Sequence, residues 1–449
     1  MNIVQSISLT IFLITIILIA TERIERAYTA LLAEGATFLI GSVSPQKFLD
    51  FIDIEILGVI IGMMLLVNGA EKSGFFNSIS VRILKASKSP TSFAIILLSF
   101  TALLSLILNN IGAMLVSASI TITMTKALKM KSETLLIFQA IIANIGGMTL
   151  MMSSIPNIII AVEGGISFNS FALNIAPLAI VLFIITALVF LRVFKQESQN
   201  ELIQNNKLTE HNELTEVDIL TDEMKAQEFS NWIELAVRDL RLVGGGGGRQ
   251  TVAGIILAGT ILGFAIYDQY GLTPAFVAMT GGVIMMMVFN KEPSDALKEI
   301  DWSTVFFLAG LFTMINGMVG IGLIEVISEG MLGIAGRWPG FLPITVMWLS
   351  AFPSALIDNI PLTATFAPII KLWVSEGLSK NTWWGLVLGA NLGGSLTPIG
   401  SPSNILVLGV SEMDGKPIKL STFFKYCFLI TMLHLIVSSI YLYILYVVY

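Results

Sequence analysis

Charge is what this chain has least of. Lys, Arg, Asp and Glu make up 12% of its residues, against about 25% in an ordinary soluble domain, which excludes a solvated surface over most of the molecule. A single cysteine, Cys427, excludes an internal disulfide. The two histidines are His211, in a polar stretch, and His434, alone in the last apolar run, so neither supports a metal site. No His-Glu-x-x-His pattern, Walker glycine loop or catalytic-triad spacing occurs, which leaves intramembrane hydrolysis and ATP-driven pumping without support. An enzyme is not expected, nor a resident cofactor. With a net charge of −6 the chain gives no hint of a nucleic-acid partner.

What is present is apolar length. Hydrophobic residues are 55% of the 449, mean hydropathy is +0.84, and apolar runs recur along nearly the whole chain, so the expected class is an all-α polytopic membrane protein in contact with lipid. The first run, Ile7 to Ala20, has no Lys or Arg before it. That argues for a retained helix over a secretory signal. Six more runs follow up to Phe190, and the same order returns from Thr251 to Val448. Between them, residues 195–250 form an acidic stretch ending in Gly244 through Gly248, a flexible linker by composition. Within it, Trp232, Ile233, Leu235, Ala236 and Leu240 recur at the spacing of a short interfacial helix.

The two halves repeat one another. Asp53, Gly62, Asn68, Gly74 and Ser80 are answered by Asp301, Gly310, Asn316, Gly322 and Ser328, at a constant offset of 301 − 53 = 248. Downstream, Asn109-Asn110 is answered by Asp358-Asn359 and Asn144-Ile145-Gly146-Gly147 by Asn391-Leu392-Gly393-Gly394, with shifts of one residue. The expected organisation is a first repeat over 1–194, a linker over 195–250 and a second repeat over 251–449. Each repeat holds a helical hairpin (about 93–128 and 344–374) and a broken helix (about 135–161 and 383–410).

Lys and Arg set the orientation. Arg23, Arg26, Lys72, Arg82, Lys85, Lys88, Lys126, Lys129, Lys131, Arg192 and Lys195 mark one side as cytoplasmic, and 164–169 and 268–273 carry neither residue and read as external. Both ends of the run pair around Asn109 are basic, so that pair should enter from the cytoplasm and return as a re-entrant hairpin. An odd number of crossings in the first half then makes the repeats inverted. Both termini are expected outside and the central loop in the cytoplasm; Lys291, Lys298, Lys416 and Lys419 agree, while Arg337, Lys371 and Lys380 run against it.

A helix that stops inside a bilayer frees backbone groups, tolerated only in protein or beside a water-filled cavity. Four such interruptions are expected: the tips Asn109-Asn110 and Asp358-Asn359, and the breaks running from Asn144 and Gly146 through Ser153, Ser154 and Asn157, and from Asn391 and Gly393 through Thr397, Ser401, Ser403 and Asn404. Helix N-termini facing the centre attract an anion, and C-terminal carbonyls hold a cation such as Na⁺. Asn109, Asn110, Asp358 and Asn359 are the candidate Na⁺ ligands. Asp358 is the only ionisable residue at any of the four, and a carboxylate near a helix centre costs about 2.5–3.5 kcal/mol on insertion scales, so it is the candidate coupling group for H⁺ or Na⁺. An Asn or Ser would cap the following helix about as well without that cost. Single amides glue helices together; the fourfold placement favours a site. Gly62 and Gly310 read as packing.

These motifs resemble the ion transporter superfamily, in particular its arsenite permease, NhaD-type antiporter and melanosomal P-protein branch. Ser350-Ala351 through Leu356-Ile357-Asp358-Asn359-Ile360-Pro361 to Thr365 is similar to the second hairpin of P-protein relatives. Gly389 to Gly394 with Ile399-Gly400-Ser401 and Asn404 resembles their second broken helix, and Gly62 to Leu65 with Ser73 to Phe76 their early scaffold. The resemblance implies a homodimer with a fixed scaffold and a mobile transport domain, the latter made of both hairpins and both broken helices and moving as an elevator. The chain departs from those relatives at Asn109-Asn110, where they have Asp-Asn, and at Ser154-Ile155-Pro156-Asn157, where they have Asp-Pro-Pro-Asn. One acid among many amides suits a small anion or oxyacid of the arsenite class, moved by secondary active transport with H⁺ or Na⁺. A Na⁺/H⁺ antiporter is the second reading and a passive channel the third.

Overall fold

The computed structural model describes residues 1–21, 23–43, 46, 49–87, 89–127, 132–209, 247–290, 292–335 and 339–448. The expected helix over 232–240, and Lys88, Lys129, Lys131, Lys291 and Arg337 of the orientation argument, lie outside them. Among the described residues there are helices and no strand. Among the described residues, seven helices are long and apolar enough to cross a bilayer, which makes this a multi-pass membrane protein.

The helices come in two matching series. The first is α1 (Ile3–Thr21), α2 (Arg26–Leu39), α3 (Ile54–Lys72), α4 (Phe75–Ala86), α5 (Pro90–Ile107), α6 (Asn110–Ala127), α7 (Glu133–Gly147), α8 (Ile155–Glu163) and α9 (Phe168–Thr209). The second is α10 (Gly247–Ile266), α11 (Pro274–Phe289), the short α12 (Pro293–Lys298), α13 (Trp302–Gly320), α14 (Leu323–Ala335), α15 (Leu342–Ser354), α16 (Asn359–Ser375), α17 (Thr382–Gly393), α18 (Pro402–Met413) and α19 (Leu420–Val448). Helix bounds therefore fall at the expected interruptions: α5 and α6 meet at Asn109, α15 and α16 at Asp358, and α7–α8 and α17–α18 are each broken by a non-helical segment. The helix α9 runs past Lys195, where polar composition begins, to Thr209.

The two series interlock. Helix α3 packs along α11 and α2 along α13, while α5 lies on α7, α15 on α17, α6 on α18 and α16 on α8. Glycines permit the closest of these approaches, as small residues do where helix backbones meet in membranes. A Cβ on Gly62 would fall on the backbone of Ala278, and one on Gly310 within 2.9 Å of the Ala30 carbonyl carbon. Both are packing positions, as their matched places implied. The same holds for Gly146 and Gly393. A Cβ there would meet the Ala102 carbonyl oxygen at 2.6 Å and the Ala351 Cα at 2.7 Å, so these two glycines seat each broken helix on the first arm of its hairpin.

Candidate functional site

The two helix breaks face each other at the centre, and their amides are tied across the halves. Asn391 Nδ2 donates to Asn157 Oδ1 (2.8 Å), and Asn391 Oδ1 accepts from Ser154 (3.3 Å). Asn144 Nδ2 donates to Ser395 (2.7 Å), and its Oδ1 accepts from Asn110 (2.8 Å), Ser401 (3.3 Å) and Ser403 (3.4 Å). Ser154 and Ser401 occupy the N-cap positions of α8 and α18 without capping them. Their hydroxyls reach across to the other half instead.

Asn157 and Asn404 do a different job. Each is fully buried and uses its Nδ2 to hold the unwound segment before it: Asn157 donates to the carbonyls of Gly147 (2.9 Å) and Leu150 (2.8 Å), Asn404 to those of Gly394 (3.0 Å) and Thr397 (2.8 Å). These bonds satisfy carbonyls that a broken helix would otherwise leave bare. Ser153 and Thr397 then tie each break to its hairpin, donating to the carbonyls of Leu106 (2.7 Å) and Ala355 (2.5 Å), which are matched positions, 355 − 106 = 249.

At the tips the halves diverge. Asn109 Oδ1 caps α6 through Gly112 N–H (2.8 Å), and Asn110 is engaged with Asn144 and with Ser105 (3.0 Å). Asp358 likewise caps α16 through Ile360 N–H (3.2 Å), but its Oδ2 also faces Arg26 Nη1 at 3.4 Å. Asn359, the counterpart of Asn110, makes no side-chain hydrogen bond to any described residue: Ser354 donates to Ala390, and Asn391, the counterpart of Asn144, turns its amide to Asn157. Among the described residues, buried polar atoms without a partner near this region, Asn404 Oδ1 and Thr363 Oγ1, also belong to the second half.

Each tip borders a cavity, and the lining repeats. One, of about 110 Å³, includes Ile107, Asn109, Met152, Ser153, Ile155 and Ile158. The other, of about 430 Å³, includes their counterparts Leu356, Asp358, Ile399, Gly400, Pro402 and Ile405. The opposing walls differ: the small cavity is closed by α3 from Ile60 to Asn68, the large one by Ile19, Ala20, Thr21, Ile24, Glu25 and Arg26. Arg26 is the functional candidate that sequence reasoning used only as an orientation marker. Its signal was in the repeat offset, since 26 + 248 = 274 puts Pro274 opposite it.

A third cavity, of about 400 Å³, lies between α13, α14, α16 and the end of α8, and holds Glu163, Glu325 and Lys371. Lys371 Nζ pairs with Glu163 at 2.8 Å. Asp53, the N-cap of α3, is electrostatically coupled to both; burial lifts its carboxyl above the ordinary value, with the Ile56 N–H opposing the lift and Glu163 adding to it.

Apolar spans around a buried polar centre built from two opposed helix breaks define an integral membrane transporter. The chain belongs to the CitMHS citrate transporter family, which matches residues 16–386, within the ion transporter superfamily. It is 27% identical over 451 residues to an uncharacterized transporter of Mycobacterium tuberculosis, covering 98% of this chain and 99% of the relative. It is 26% identical to the human P protein, over 96% of this chain and 59% of that longer protein.

Proposed function

We propose that this protein is a secondary active transporter that moves a small anion, with citrate first among those to try, coupled to H⁺ or Na⁺ bound at Asp358. The observation that carries this reading is the second hairpin tip. There the one carboxylate carried by any of the four interruptions borders a 430 Å³ cavity and faces Arg26, next to Asn359, whose amide makes no side-chain hydrogen bond to a described residue, whereas Asn110, Asn144, Asn157 and Asn391 are bonded in pairs. A coupling cation needs an acid, and Asp358 is the acid offered at the centre. The family's description as citrate transporters moves carboxylates ahead of arsenite as the solute class.

The opposed series support inverted repeats, with the hairpins entering from opposite sides and both termini outside. Of the fixed and moving bodies an elevator requires, α2, α3, α11 and α13 form the fixed one and the hairpins with the broken helices the moving one, in a homodimer. Interlocked amides suit this arrangement, since Asn144 and Asn391 hold the two breaks together as one piece. A Na⁺/H⁺ antiporter is the second reading, favoured by the pairing of Asp358 with a cationic side chain.

Flux in proteoliposomes decides among these. Under imposed Na⁺, pH and voltage gradients, with citrate, succinate, phosphate and arsenite as solutes, uphill accumulation of an anion supports the proposal. Sodium-dependent proton movement without any other solute supports the antiporter. Downhill equilibration alone would leave a channel.

A further inference from the structure

The contact between Arg26 and Asp358 joins the start of α2 to the tip of the second hairpin. Arg26 opens α2 and is fixed by α13: Nη2 donates to Thr304 Oγ1 at 2.8 Å, and the guanidinium lies 5.5 Å from the centre of the Phe307 ring. Only its Nη1 reaches out to Asp358, at 3.4 Å, with side chains 33% and 19% exposed. The pair is long, single and partly wet, so it is breakable. Two other charged groups stand beside it. Asp301 lies 3.8 Å from Arg26 and is the N-cap of α13, accepting from Thr304 N–H (3.1 Å); Glu25 accepts from Ala27 N–H (2.9 Å) and Tyr28 N–H (3.3 Å) and bonds Ser303. Both sit at the starts of α2 and α13, on Arg26's own side, so Asp358 at the hairpin tip is the carboxylate on the other side of the pair.

The internal repeat supplies a control. The counterpart of Asp358 is Asn109, and the counterpart of Arg26 is Pro274. The matched positions, Asn109 and Pro274, thus carry neither the acid nor the base, while the capping function survives on Asn109. A carboxylate kept only as a cap would not need the arginine.

We propose that Arg26 is a positioning residue that stands in for the coupling cation. While Asp358 is unloaded, Arg26 neutralises it and ties the tip of the second hairpin to α2 and α13. A proton or Na⁺ arriving at Asp358 displaces the guanidinium and frees the hairpin to move. A bare carboxylate is thereby kept from crossing the low-dielectric interior, where an unpaired charge is costly. This rests on the reading that Asp358 binds the coupling cation.

The test uses the full chain in proteoliposomes, with citrate uptake followed against Na⁺ concentration and pH, and Na⁺ and proton leak followed without citrate. Removing a competitor should tighten cation binding and loosen the tether. R26Q should reach half-saturation at a coupling-cation concentration at least about fivefold lower and leak at least about fivefold faster, the lower end of coupling between interacting sites. R26K, which keeps the charge without the planar fork, should fall between R26Q and the unaltered chain, and it carries the test if R26Q does not fold. The exchanged pair R26D/D358R should leak no more than the unaltered chain yet show no cation-coupled uptake. Unchanged half-saturation and leak in R26Q, with coupled uptake intact, would overturn the role of Arg26 and leave the transport reading standing. No cation-dependent accumulation of any anion by the unaltered chain would remove the transport reading and this one with it.

Discussion

Around Asn109 the first half-site is closed on itself: Asn110 is bonded to Asn144 and Ser105, and a cavity of about 110 Å³ remains beneath α3. Around Asp358 the second is open. The Asn359 side chain makes no hydrogen bond to a described residue, a cavity of about 430 Å³ reaches Ile19 to Thr21 and Ile24 to Arg26, and an acid and a base face one another across it. The backbone scaffolding of the two is the same, down to the hairpin carbonyls that Ser153 and Thr397 bind. The two halves thus share what holds a broken helix together and differ in charge and open space at the tip.

The comparison is broken most severely by removing the charge. Asp358→Asn keeps the α16 cap and should lower gradient-driven uptake by roughly two orders of magnitude, the scale of losing a group that acts only in the coupled step, while the protein elutes and melts as a folded species. Asn109→Asp tests the reverse. A carboxylate placed there meets no arginine and should destabilise the protein by about 2–3 kcal/mol, near the insertion cost of an unpaired acid, read as a lower melting temperature in detergent.

Smaller effects sharpen the division between glue and site. Asn391→Ala leaves Asn157 Oδ1 buried without its donor, which should cost about 1–3 kcal/mol. Asn359→Ala removes an amide that bonds to nothing described, so its melting temperature should stay put while half-saturation for the anion or cation rises. Lys371→Gln sits at the small end: its pair with Glu163 is 62% exposed on the lysine side, and exposed ion pairs contribute about 0–1 kcal/mol.

Most of the helix series was legible in the sequence, because apolar length and the 248-residue offset report directly on spans and repeats. Both tips and both breaks were legible for the same reason: glycines, prolines and amides interrupt apolar runs only where the backbone must leave the helix. The division of labour among the amides was not. Asn157 and Asn404 look like ligands in sequence, yet they hold the carbonyls of their own breaks, a local fit that residue identity does not encode. Gly146 and Gly393 turned out to be packing contacts, like Gly62 and Gly310, because close helix approach and backbone freedom leave the same residue. Arg26 was hidden by its place at a helix start, where a basic residue reads as topology. The repeat offset marks it all the same, because its counterpart is the uncharged Pro274.

Concentrative uptake of citrate, with succinate, phosphate and arsenite alongside it, measured in proteoliposomes for the unaltered chain and Asp358→Asn under the same imposed Na⁺ and pH gradients, tests the central claim most directly. The account predicts uphill accumulation of at least one anion that collapses when the coupling gradient is dissipated and is lost in Asp358→Asn. Wild-type coupling in Asp358→Asn, or equilibration that ignores both gradients in the unaltered chain, would contradict it.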